Sequence, residues 1–192
     1  TYYGFDRELH TGSYKYNPSL PLRIGMDFNN DPLSSVICQI QHNGDICVIK
    51  EVTLSHGGDG DLPTQRMCDT IREMYPNNLY YAYPDATGAA KNSSARYSDI
   101  SIIRQNKFIV KVAHINPRVI NRVNAVNNQL SKNKIKIDKG CKLFIKDLEQ
   151  VTNKEGTREI DKSNKNLSHL SDAFGYFINW ERPVVKQNIG TT

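Results

Sequence analysis

Residues 23–32 read RIGMDFNNDP, and the acid inside that run decides how the chain is understood. Leu22, Ile24 and Met26 have the look of a strand heading into a core, yet Asp27 sits between Met26 and Phe28. A carboxylate there is costly unless it is paired, exposed at the strand's end or ligating a cation. The cluster Asn29-Asn30-Asp31-Pro32 follows at once, so the strand stops just past Asp27. An acid at the end of a central strand, beside a loop, is where open α/β sheets place their chemistry.

Working outward, three strands are expected over 22–28, 33–41 and 45–54. The second and third are joined across His42-Asn43-Gly44, and Asn-Gly is a strong hairpin signal. Centring the turn on Asn43-Gly44 pairs Ile40 with Cys47 and leaves Cys38 and Cys47 out of register for a disulfide. SHGGDGDLP (55–63) reads as a flexible loop, with Asp61 as a cap ahead of Pro63 and a helix over 64–75. Strand and helix then alternate: a strand over 79–83, a short helix over 98–105 and a strand over 108–113. Asn116-Pro117 opens a helix whose apolar residues Val119, Ile120, Val123, Val126 and Leu130 recur at helical spacing. A short basic hairpin is expected over 135–145, a polar mobile stretch over 152–166 and a last helix over 168–180. A three-stranded antiparallel meander followed by α/β alternation implies a mixed sheet flanked by helices.

Composition narrows the function classes. The chain has 192 residues, 38% of them hydrophobic, which is enough for a real core. It contains no apolar run of membrane-spanning length, no signal-peptide pattern and no phosphate-cradling G-x-x-x-x-G-K-[ST] loop. The four cysteines form no C-x-x-C pair and read as reduced, buried residues of a cytosolic protein. The chain opens on Thr1, and residues 1–19 are read as an arm, loosely packed over its first fourteen residues. Net charge is +5 but unevenly spread. Residues 101–146 hold eleven Lys or Arg against one acid, Asp138, for +10, leaving fourteen bases and nineteen acids, −5, elsewhere. Such a segment is either a polyanion-binding face or a solvated lysine-rich surface.

Asp85, in YPDATG, follows a second apolar strand, and Asp172, in LSHLSDAFGYF, lies early in the last helix. Singly, such acids are usually turn residues or complement a helix dipole. Two strand-end acids and one on a closing helix can instead converge. Three carboxylates brought together repel unless a divalent cation sits among them.

With the helix opening NPRVINRVNAVNNQL, these stretches resemble the nuclease domain of the large terminase subunit of tailed bacteriophages, which has a ribonuclease H-like fold. The resemblance spans about residues 20–183, between the 1–19 arm leading from an upstream ATPase motor domain and a C-terminal tail over 184–192. It implies that Asp27, Asp85 and Asp172 are catalytic and ligate metal, either Mg²⁺ or Mn²⁺ and as a pair of ions. Asp31 is a candidate supporting ligand or a plain turn residue before Pro32. His169, one turn before Asp172, is a candidate for orienting the attacking water or a packing histidine. Arg118, Arg122, Lys132, Lys134, Lys136, Lys139 and Lys142 become candidates for tracking a DNA backbone without reading sequence. The implied partners are double-stranded DNA, the ATPase domain, the portal and the small terminase subunit, with no membrane. The implied location is the host cytoplasm and, transiently, the procapsid portal. The resulting expectation is an endonuclease that cuts concatemeric viral DNA during packaging. A Holliday-junction resolvase-like nuclease and a non-catalytic DNA-binding module of the same fold are the alternatives.

Overall fold

The computed structural model describes all residues except Asn29, Asn30, Asp59, 90–97, Arg158, Lys165 and 185–192, so most of the expected 184–192 tail lies outside the described residues. A short helix α1 (Arg7–His10) and strand β1 (Thr11–Gly12) precede β2 (Leu22–Asp27), β3 (Leu33–Ile40) and β4 (Ile46–Leu54). Next come α2 (Pro63–Met74), β5 (Tyr80–Pro84), a 3₁₀ turn (Ala86–Ala89), α3 (Asp99–Gln105) and β6 (Ile109–Val110). The chain closes with α4 (Val119–Ser131), β7 (Ile135–Asp138), α5 (Lys142–Gln150) and α6 (His169–Glu181). The strands form one seven-stranded sheet ordered β1-β7-β4-β3-β2-β5-β6. β2, β3 and β4 make the expected antiparallel meander, while β5 and β7 join parallel to β2 and β4.

Both faces of the sheet are covered, so β2 and β3 are buried along nearly their whole length, polar Ser34, Ser35 and Gln39 included. On one face Val36, Cys38, Ile46 and Val48 pack against α4, α5 and α6. On the other, Leu22, Ile24, Met26 and Ile37 pack against α2 and α3. Along β2, Arg23, Gly25 and Asp27 alternate toward α6. Gly25 meets the helix backbone itself: a Cβ there would lie 2.1 Å from the Ala173 carbonyl oxygen.

Several expectations are corrected. The segment 135–145 is a strand and a helix start instead of a hairpin. β7 pairs parallel with β4, and Cys141, Phe144, Ile145 and Leu148 recur at helical spacing and are buried. Glu51 of β4 secures the start of α5, accepting the Leu143 and Phe144 N–H groups at 3.0 and 2.7 Å, a structural role. The β3–β4 register is shifted by one residue, Ile40 facing Ile46. Of the turn residues only Gly44 takes positive φ (83°), which suits a three-residue loop in place of the two-residue turn. The four cysteines are free and buried.

The first fourteen residues are not loosely packed. Tyr2 is buried in the core, β1 pairs with β7, and the His10 Nε2–H donates to the Leu130 carbonyl at 3.1 Å. The polar stretch 152–166 is tied by an Asn153–Ile160 bridge, with Ile160 buried. Asp61 pairs with Arg66 at 2.8 Å and takes no cap role on α2.

Asp147 of α5 was not singled out by the sequence. It is buried and accepts the Leu170 and Ser171 N–H groups at 3.1 and 3.0 Å, satisfying the start of α6 in place of Ser168, whose side chain makes no cap. Burial pushes its carboxyl above the ordinary value.

Two predictions follow from the placement of α6. Gly25→Ala should lose about 3 kcal/mol or fail to fold, because backbone cannot yield as a side chain tip can. Gly58→Ala, with nothing within 4 Å, should be near neutral by urea denaturation.

Asp147→Ala should cost about 1–3 kcal/mol through orphaned N–H groups, and Asp147→Asn less. Because folding raises this carboxyl above its unfolded value near 3.8, the folded chain holds the proton more tightly. Wild-type stability therefore falls as pH rises from that value through the raised one, moving the difference in favour of Asp147→Asn over that window only. Denaturation across a pH series reads the sign directly.

Candidate active site

Asp27 is the last residue of β2 and Asp85 the first after β5. The strands run parallel with Met26 opposite Pro84, and the Asp85 N–H donates to the Met26 carbonyl at 3.2 Å. The two acids therefore leave neighbouring strands at one edge of the sheet, their backbones about 4.8 Å apart laterally. Both side chains are buried. Asp85 Oδ1 accepts from the Thr87 N–H, the Thr87 hydroxyl and the Asn116 amide, the last at 2.9 Å. The Asn116 carbonyl oxygen in turn accepts the Ala86 N–H at 2.7 Å, so one side chain holds both the acid and the turn behind it.

The third acid arrives on α6. Asp172 is buried, and both its oxygens are engaged: Oδ1 by Arg122 Nη2 at 2.8 Å, Oδ2 by the Lys162 ammonium. One turn earlier, His169 Nδ1 lies 3.6 Å from Asp27 Oδ2. One turn later, Tyr176 is buried beneath the Arg122 guanidinium, 4.3 Å above its ring. Burial drives the Tyr176 phenol upward. Arg122 opposes that shift, while the charges of Asp85, Asp27 and Asp172 reinforce it, so one side chain senses all three acids.

Hard carboxylate oxygens are the right donor chemistry for a magnesium- or manganese-like ion, and Asp27 and Asp85 bring two carboxylates to neighbouring strand ends. Among the described residues, however, no group of three His, Cys, Asp or Glu is drawn together closely enough to hold a metal. The Asp172 carboxylate is held in ion pairs with Arg122 and Lys162.

Asp31 is exposed and accepts the His56 N–H at 3.0 Å, which is a loop-tying role. Arg122 does not face solvent as a backbone contact would: it is buried against Gly175 and Asp172. Its position three residues after Val119 and four before Val126 put it on the apolar stripe, a signal available in the sequence. The other basic candidates lie farther from the acids along the sheet. Lys132 and Lys134 precede β7, at the sheet edge opposite Asp27, and Lys134 pairs with Asp45 at 2.9 Å. Lys136 bonds to Asn133. Lys139 and Lys142 are exposed at the end of β7, three strands away from β2. Arg118 alone of the seven is exposed beside the site, two residues beyond Asn116. Lys162, Asn116 and Tyr176, by contrast, belong to the site; Asn116 and Tyr176 lie inside the stretches NPRVINRVNAVNNQL and LSHLSDAFGYF, but neither was given a role at the site, and Lys162 lies outside every motif.

A family model described as the terminase RNase H-like domain matches residues 24–181. No curated protein sequence matches the chain. Among solved structures, the large terminase of the thermophilic bacteriophage D6E in complex with ATP-γ-S superposes with a TM-score of 0.73 at 20% identity. That match covers 93% of this chain but only 44% of the D6E chain, so this chain spans less than half of it. The P22 large terminase nuclease domain gives 0.70 at 11% identity, covering 95% of this chain and 93% of that one. The large terminase nuclease of the thermophilic phage G20c with bound zinc gives 0.57 at 10% identity, covering 84% and 82%.

Removing Arg122 should expose what it neutralises. Arg122→Met leaves Asp172 buried with one cation fewer and should cost about 3–5 kcal/mol. Combining it with Asp172→Leu should recover most of that loss, because an apolar pair needs no charge balance. Chemical denaturation of the two variants beside wild type checks both outcomes.

Proposed function

The chain belongs to the terminase RNase H-like domain family, and on that premise we propose that it is a divalent-metal-dependent endonuclease cutting concatemeric viral DNA during genome packaging. The observation that supports this reading is that Asp27 and Asp85 end adjacent parallel strands while α6 brings His169, one turn before Asp172, to 3.6 Å from Asp27. Asp27 and Asp85 are the residues we assign to hold Mg²⁺ or Mn²⁺, with Asp172 joining them when Lys162 leaves it. A pair of such ions would supply an activated water and stabilise the departing 3′ oxygen of the phosphodiester.

The remaining groups position these acids. Asn116 fixes the Asp85 carboxylate, His169 lies against Asp27, and Arg122 anchors Asp172 against Tyr176. Tyr176, kept protonated by burial and by the neighbouring carboxylates, is a donor rather than a base at neutral pH. No protein nucleophile is required. Double-stranded DNA is the proposed substrate, cut with little sequence preference.

In the full protein we place an ATPase motor on the N-terminal side, reached through residues 1–19, and the portal and small terminase subunit as partners. We place its work in the host cytoplasm and, transiently, at the procapsid portal. The D6E large terminase, of which this chain matches 44%, was solved with a nucleotide analogue, which supports a motor in the longer protein.

Mn²⁺-dependent nicking of supercoiled plasmid tests the reading. Asp27→Asn and Asp85→Asn should each lower the rate by at least about a thousandfold, with the double variant no worse, because the acids act as one unit. Normal cleavage by either single variant would overturn the assignment.

A further inference from the structure

The loop between β6 and α4, residues 111–118, leaves the sheet at the same edge as the acids because β6 runs parallel to β5. It is clamped there at both ends. The Lys111 N–H donates to the Ala82 carbonyl at 2.8 Å, and Asn116 bonds to Asp85 and to Ala86. The tip is apolar and outward: Ile115 is 83% exposed, well above the next large aliphatic residue among those described. Single exposed apolar side chains are ordinary, so exposure alone means little. What distinguishes Ile115 is its company. Lys111, over the Tyr81 ring at 6.0 Å, precedes it and exposed Arg118 follows it, and both sit beside buried acids that would otherwise repel a polyanion.

We propose that this loop, and not the lysines around β7, is the element that engages the duplex: Ile115 enters the minor groove as an apolar wedge while Lys111 and Arg118 hold flanking phosphates. This inference rests on the nuclease reading and adds to it the surface that delivers DNA to the site. Apolar wedges between base steps unstack and bend DNA, and cations beside them anchor the backbone. Because Asn116 joins the loop to Asp85, the wedge sets which phosphodiester lies over the acids.

The test uses the whole chain carrying Asp27→Asn, without metal, so that binding is read free of cleavage. Anisotropy of a labelled duplex gives affinity, and a 2-aminopurine within it reports unstacking. Adding Ile115→Ser should weaken binding about tenfold or more, the loss of one buried aliphatic side chain. It should also abolish the rise in 2-aminopurine fluorescence that the parent produces. Tyr3→Ser, 82% exposed elsewhere, should change neither. Arg118→Gln should reduce the slope of log K against log salt by about one, and Lys132→Gln should leave it unchanged. Unchanged binding and fluorescence with Ile115→Ser, alongside normal cleavage by the Asp27-bearing chain, would sink the wedge and spare the nuclease reading. Absence of duplex binding by the parent would overturn both.

Discussion

Everything at the site hangs on one close approach. Gly25, in the middle of β2, lets the backbone of α6 lie directly on the sheet at Ala173. Arg23, Gly25 and Asp27 then meet Glu181, Ala173 and His169 in turn, so strand and helix run antiparallel along one line. Any side chain at Gly25 would lift the helix, and Asp172 and His169 would move away from Asp27 with it. The helix is held from the other end by Asp147, which satisfies its first N–H groups, and from the side by Arg122 against Gly175. Close helix–strand packing of this kind converts two separate runs of sequence into one rigid platform.

That platform concentrates negative charge in a buried place, and the fold answers with cations. Arg122, enclosed and stacked on Tyr176, is the permanent partner of Asp172. Lys162 is half-exposed and reaches in from a loop, so it is the partner that solvent or an arriving cation can displace at least cost. Asp172 is thus buried between one fixed and one movable counter-charge. The loop bearing Lys162 is ordered by its own Asn153–Ile160 bridge, which keeps the ammonium near its target.

The basic segment 101–146 looks like a single feature in the sequence and is not one in space. Its charges are divided among an internal ion pair at Arg122, two lysines at the far edge of the sheet, others at the end of β7, and the 111–118 loop beside the acids. Only the last group is in the immediate neighbourhood of Asp85. A net charge summed along the chain measures attraction for a polyanion at a distance, but strand order decides where the polyanion comes to rest.

The places of Asp27 and Asp85 at strand ends and of Asp172 early in the last helix were legible in the sequence, and the meander was legible from three strand-like runs and an Asn-Gly turn. The mixed sheet, the basic helix α4 and the closing helix α6 came from the same local rules. The start of α5 was misread because Lys139-Gly140 is a turn signal whether the chain next forms a strand or a helix, and parallel pairing with β4 made the choice. The arm was taken for a tether because polar and aromatic residues say nothing of distant partners such as the core around Tyr2. Arg122 as a structural cation, Lys162 as its movable companion, Asn116 as the holder of Asp85 and Asp147 as a cap all depend on contacts between elements far apart in the chain. Periodicity and turn chemistry report only what a residue does with its near neighbours, whereas charge balance in a buried site is settled by whichever side chains the fold brings within about 3 Å.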